Sequence, residues 1–324
     1  MIQQTDSTTR TQDDIRRLAV GRGVALNLNR ILAPLNGYGL SEQILPFSSM
    51  LADWFEGETT LFHTLPPTHP ARGARPGQVH YPDAPHDRGA SLAAAYLEEV
   101  VSRLGPHGVK SRWGIATGDP SRMISSRSAT SSFGMVAIAA IARSRPHRFF
   151  SPGLLDNLWR TTSVPLLIVN PRHATLNGAP PQPPKTIIAL CTRNADDSAM
   201  QFASAIAGAS RSTVRVVLTK SAASVKLEDE LINKFTNDDV HIEIQHVSDN
   251  LVQQVLGLQS ENNGSWIVSG SRMRSGIIRS VLGSYTDSIA RDAPGPVVVV
   301  PDPNVMRQRE RAAHELTRNL PWSL

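Results

Sequence analysis

The sequence predicts an α/β protein of two doubly wound, five-stranded parallel-sheet domains in tandem. Three observations lead there. Short apolar runs of strand length alternate along the chain with longer segments whose apolar residues recur at helical spacing, the pattern of parallel sheets covered by helices. The alternation occurs twice: the strand at Ile31 is matched at Ile187, a shift of 156 residues, and the strand at Pro165 is matched at Pro296, a shift of 131. The last unit reads as strand, glycine-bearing loop, helix and strand, running from Ser265-Trp-Ile-Val268 through Gly270-Ser-Arg-Met-Arg-Ser-Gly276 and Gly283-Ser284 to Pro296-Val-Val-Val-Val300.

In the first copy, residues 1–27 are polar and read as an arm with one short amphipathic piece, Asp14 to Val20. Arg30 to Leu35 is the first strand, closed by the turn signal Asn36-Gly37, and Ser41 to Phe55 carries apolar residues at helical spacing. Gly57 ends that helix and Thr59 to Leu65 is the second strand. Residues 66–88 are dense in Pro, Gly, His and Arg and read as a mobile insertion or long surface loop, which accounts for the difference of about 25 residues between the two shifts. His80, Asp83, His86 and Asp87 lie in it, but its prolines provide no rigid element to hold metal geometry, so no metal is expected. Ser91 to Leu104 is a helix stopped by Gly105-Pro106, and Val109 to Ala116 is the third strand. Asp119-Pro120 starts a helix through about Ser128, Met135 to Ala140 is the fourth strand, and a helix through Arg160 leads to the fifth, Pro165 to Val169.

Residues 172–184 have linker composition, so the domains are expected at 28–171 and 185–302. The second copy runs through strands at Lys185 to Leu190, Thr213 to Leu218 and Val240 to Val247, with helices at Asp197 to Ala209 and Val225 to Phe235. Asp249 is placed as the cap of the next helix. The tail, 303–324, is polar and Arg-rich; Met306 to Arg318 makes one surface helix.

Composition narrows the function. At 324 residues and 40% hydrophobic content each domain has material for its own core, and no apolar run approaches the roughly 20 residues of a membrane helix. The first thirty residues hold Asp6, Asp13 and Asp14 and no apolar signal core, which makes the cytoplasm the default location. Cys191 stands alone, excluding an internal disulfide framework and a cysteine-clustered zinc site, and reads as a small buried side chain. The net charge of +5 comes from 33 basic residues dispersed among 28 acidic ones, with aromatics at 5%; no nucleic-acid partner and no membrane are expected, while small anionic ligands remain allowed.

The glycine-bearing loop has two readings. Glycines let backbone N–H groups approach an anion, and a helix opening at Ser284 adds unpaired donors and about half a positive charge. Ser284 with Asp287 equally fits the Ser-x-x-acid box that only starts a helix.

Residues 30–302 resemble the universal stress protein family, as two domains in tandem. Ile31-Leu-Ala-Pro-Leu-Asn-Gly37 with Ser41 to Pro46 is similar to the family's opening strand and helix, Gly118-Asp-Pro120 to its entry to the third helix, and Ile267 to Val300 to its closing segment. The resemblance implies a nucleotide-binding fold of the adenine-nucleotide alpha-hydrolase type. Nucleotide-binding members carry Gly-x-x-Gly, nine residues, then Gly-Ser or Gly-Thr, with an acid ending the first strand. The second copy keeps Gly270, Gly283 and Ser284; Met273 replaces the inner glycine, and Cys191 or Thr192 stands where the acid belongs. Gly276 lies off the motif position. The first copy has Ala142 and Arg145 at the loop positions, Pro152 and Gly153 in place of Gly-Ser, and Asn36 in place of the acid, so no ATP is expected there.

What the resemblance implies is a regulatory protein holding ATP or another adenine nucleotide, with Mg²⁺, in the second domain only, through Gly270, Arg272, Gly283 and Ser284. The competing expectation is a scaffold or partner-binding module without nucleotide. Catalysis is not indicated: there is no Ser-His-Asp pattern, no Gly-Lys-Ser/Thr loop and no Cys-x-x-Cys. In such domains the closing strands, here Pro165 to Val169 and Val297 to Val300, pair with each other, implying a pseudo-dimer inside one chain. Unpaired edges elsewhere would permit a homodimer or an unidentified protein partner.

Overall fold

The computed structural model describes residues 28–67, 84–139, 153–171, 181–191, 197–219, 224–235, 240–247, 250–262, 264–271 and 284–318. In the first half the elements are β1 (Arg30–Pro34), α1 (Gly39–Glu42), α2 (Leu45–Trp54), β2 (Glu58–Leu65), α3 (Ala84–Leu104), β3 (Ser111–Thr117), α4 (Pro120–Thr130), β4 (Met135–Ala139), α5 (Leu154–Thr161) and β5 (Leu166–Val169). The second half has β6 (Thr186–Cys191), α6 (Asp197–Ser210), β7 (Thr213–Thr219), α7 (Ser224–Phe235), β8 (Ile242–Val247), α8 (Leu251–Glu261), β9 (Trp266–Ser271), α9 (Ser284–Asp292) and β10 (Val297–Pro301), and α10 (Pro303–Arg318) follows.

Local chemistry explains where elements start and stop. The helix expected over 41–55 is divided at Gln43-Ile44, because Pro46 lacks an N–H and fits only in the first turn of α2. Asp119 caps α4, accepting from the Arg122 N–H at 3.0 Å, and its bond from Ser121 followed by that from Arg122 holds its carboxyl below the usual range. Two expectations are corrected. Residues 84–88, assigned to the loop, are the first turn of α3: Pro85 is tolerated there and Asp87 complements the helix pole, so His86 and Asp87 ride on a helix. His80 and Asp83 lie outside the described residues. Position 250, not 249, is the N-cap of α8: Asn250 takes a left-handed φ of 52° and makes no side-chain cap bond, while Asp249 lies outside the described residues.

The strands form one ten-stranded sheet in the order β3-β2-β1-β4-β5-β10-β9-β6-β7-β8. Each half repeats the same doubly wound order, all parallel within itself, and the two orders meet where β5 and β10 pair antiparallel, Val297 opposite Ile168 and Val299 opposite Leu166. The two sheets expected from the sequence are thus fused edge to edge.

Both faces are covered. Side chains alternate along each strand, so Ile31, Ile187 and Val298 enter one core with α2, α3, α6 and α7, while Leu32, Ile188 and Val297 enter the other with α4, α5, α8 and α9. Each core runs across both halves, in place of the separate core expected for each domain. Cys191 is buried in the first of these cores, as expected. Among the described residues no helix is long and apolar enough to cross a membrane.

Gln259 of α8 ties the second half together from inside. Its amide nitrogen donates to the carbonyls of Ser265 (3.0 Å) and Pro296 (3.1 Å), and its oxygen accepts from the Gly295 N–H at 3.2 Å. It therefore anchors the strands on either side of the loop-helix unit. Gln259→Ala is expected to lower unfolding free energy by about 2 kcal/mol, since it leaves the Ser265 carbonyl and the Gly295 N–H without this partner while the Pro296 carbonyl keeps its bond from the Ile267 N–H; denaturant titration would measure it, and a change under about 0.5 kcal/mol would show that solvent replaces the side chain.

Candidate functional site

In a doubly wound sheet, ligands bind beyond the carboxyl ends of the strands where the order reverses. In the second half that place is the end of β9 and β6 and the start of α9. Ile267 and Val268 are fully buried, held between β6 and β10 by parallel ladders. That rigid strand delivers Gly270, its penultimate residue, in register with Val300. Ser284 is the first residue of α9, so its backbone stands at the positive pole of that helix. Arg272, Met273, Gly276 and Gly283 lie outside the described residues, as does Thr192.

Strand end and helix start are joined directly. Ser269 and Thr286, both buried, share a hydroxyl–hydroxyl hydrogen bond of 3.0 Å, which fixes α9 relative to β9 just below the loop. Nothing in the sequence spacing nominated this pair; the signal was two small hydroxyl residues flanking the glycine-bearing loop. Asp287, offered above as half of a capping box, has its Oδ1 bonded to Arg291 Nε at 2.8 Å. Arg291 also reaches Asp156 of α5 at 2.7 Å, and its guanidinium lies 5.6 Å from the centre of the Trp159 ring. The bond from Asp287 leads the causes that push the Arg291 pKa further up. Asn170 completes the tie by donating to the Arg291 carbonyl at 3.1 Å. The helix that opens at the candidate site thus ends clamped to the other half.

At the acid position of the second half, Cys191 is 3% exposed and ends β6 among apolar side chains. It offers no charge there. In the first half, Asn36 is engaged in its own turn: its Oδ1 accepts from the Tyr38 N–H at 3.1 Å and its N–H donates to Ser41 Oγ at 3.3 Å. Gly153 caps α5 with φ of 90°, a left-handed conformation that favours glycine. Ala142, Arg145 and Pro152 lie outside the described residues.

His63 of β2, passed over in the sequence as one member of a strand, stands at this end of the first half. Its Nδ1 is 2.9 Å from the Leu35 carbonyl, an acceptor only, so Nδ1 carries the proton and Nε2 is left as an acceptor. Burial is the leading cause that lowers its pKa and keeps the ring neutral.

With this geometry in view, residues 203–301 match the family model described as the universal stress protein family. The match spans β9, the loop and α9. Residues 203–301 belong to the universal stress protein family. The universal stress domain so defined contains Gly270, Arg272, Gly283 and Ser284.

The fold of the rest follows from solved structures. A universal stress protein from Archaeoglobus fulgidus superimposes with a TM-score of 0.66 at 18% identity, covering 85% of this chain and 99% of its own. A functionally unknown protein from Pseudomonas aeruginosa does so with a TM-score of 0.60 at 15% identity, covering 90% of this chain and 98% of its own. At such identities the likeness is one of fold, and it extends over both halves. A comparison with curated proteins finds no match.

Proposed function

We propose that this is a tandem universal-stress-type regulatory protein that binds an adenine nucleotide, ATP with Mg²⁺ in the first instance, in its second half only. The supporting observation is the Ser269–Thr286 hydrogen bond, which ties the end of β9, where Gly270 stands, to the first turn of α9, which Ser284 opens, inside the stretch that matches the family model. Backbone donors and the helix pole favour a phosphate there, and Arg272, two positions after Gly270 in the sequence, carries a positive charge. The first half serves as a partner to the second through the β5–β10 ladder, a pseudo-dimer within one chain; a homodimer or a protein partner through the outer edges is open to it.

One observation favours the second reading, a scaffold without nucleotide. Cys191 offers no carboxylate where nucleotide-binding members place an acid, and Met273 occupies the inner-glycine position. The test is to heat-denature the purified protein and chromatograph what is released, then to titrate ATP with Mg²⁺ calorimetrically. Stoichiometric adenine nucleotide sinks the scaffold reading, whereas an empty supernatant with no binding heat sinks the nucleotide reading. Met273→Gly is expected to tighten ATP binding roughly 5- to 30-fold by removing a Cβ, a gain of about 1 to 2 kcal/mol where glycine's conformation is required. Unchanged affinity would show that the obstacle lies elsewhere.

A further inference from the structure

We propose that α10 is a releasable strap: it leaves the second half, docks on α4 and on the carboxyl end of α5 in the first half, and undocks as a unit to bare that surface while the sheet stays folded. Only Asp302 separates α10 from β10, and its Oδ1 caps the helix by accepting from the Asn304 N–H at 2.8 Å. Since Pro301 pairs with Ser271, the strap is rooted beside the carboxyl end of β9.

The docking face is narrow. Val305, Met306, Arg309 and Ala313 fall on one stripe and are only partly buried, and none of the described side chains of α10 is fully buried. In a folded protein most of a helix's stability comes from packing its face, so α10, 16 residues long and exposed on its outer side, owes its helicity to docking. One polar anchor is Arg309, whose guanidinium donates to the Thr162 carbonyl at 2.7 Å. Thr162 is buried and is the C-cap of α5, so the cation sits at the negative pole of that helix. Burial pulls the Arg309 pKa down to about 10, which leaves it charged at neutral pH. α10 packs along α4, whose buried residues include the small side chains Ser121, Ser125, Ser128 and Ala129. By contrast β9 and β10 are buried on both faces. A weakly buried element joined to a deeply buried one opens first.

Amide hydrogen exchange on the full-length protein tests this. Amides of α10 are expected to exchange at least ~100-fold faster than those of β9 and β10, as for a locally opening unit. Arg309→Ala is expected to speed α10, together with the last turn of α5, by a further ~10-fold without changing the strands, and Arg311→Ala, on the exposed face, to leave all rates alone. Slow exchange of α10 in step with the strands would overturn the proposal. So would an Arg309→Ala effect that spreads equally to the strands, or no effect at all.

Discussion

Trp266→Ala is expected to lower the unfolding free energy by about 3 to 5 kcal/mol, the range for deleting a large aromatic from a core. Trp266 is 1% exposed in β9 and belongs to the second half, yet its aromatic neighbours come from the first. Phe47 and Trp54 of α2 approach it with ring centroids 6.1 and 5.9 Å away, the former edge to face. Truncation therefore opens a void where the cores of the two halves are continuous, and strands pinned on both sides by ladders have little room to collapse into it. Denaturant unfolding followed by far-UV circular dichroism measures the loss. A change under about 1 kcal/mol would mean that α2 closes onto β9, and that the seam between the halves is softer than its packing implies.

Gly57→Ala is expected to cost about 3 kcal/mol, at the upper end for overpacking, because the added methyl has nowhere to go. An ideal Cβ on Gly57 would overlap the backbone O, C and Cα of Asn29. Those are main-chain atoms at the entry to β1, and no rotamer moves them aside. The same carbonyl accepts from the Glu58 N–H at 2.8 Å, and the Gly57 N–H closes α2 by donating to the Ala52 carbonyl at 2.7 Å. Relief would require breaking the start of the β1–β2 ladder or the end of α2. Thermal melting of the variant checks this, and a midpoint within a degree or two of the parent would contradict the close approach.

Gly57 also shows how far local reasoning reaches. From the sequence it is a helix stop; that another strand's backbone passes against it is invisible until the fold brings Asn29 there. Pro46 is the opposite case. Its missing N–H is a local fact that divides α1 from α2 although the helical spacing of apolar residues runs on through both. The candidate site divides the same way. Gly270 and Ser284 follow from motif spacing, whereas the Ser269–Thr286 bond and the fixed tautomer of His63 depend on which strand ends come together.

By itself the sequence determined the order and kind of the elements and the doubled α/β unit, because these follow from interactions within a few residues: alternation, helical period, caps and turn chemistry. Only the tertiary structure decided how the halves join. Arg291 meets Asp156 across 135 residues and Arg309 meets Thr162 across 147. An apolar run such as Val297 to Val300 announces that it will be buried; only the family resemblance pointed to the closing strand of the other half as its neighbour, and the antiparallel register, Val297 opposite Ile168, belongs to the tertiary structure. Burial is non-directional and encoded locally, while the choice of partner depends on the simultaneous packing of both sheets and all their helices.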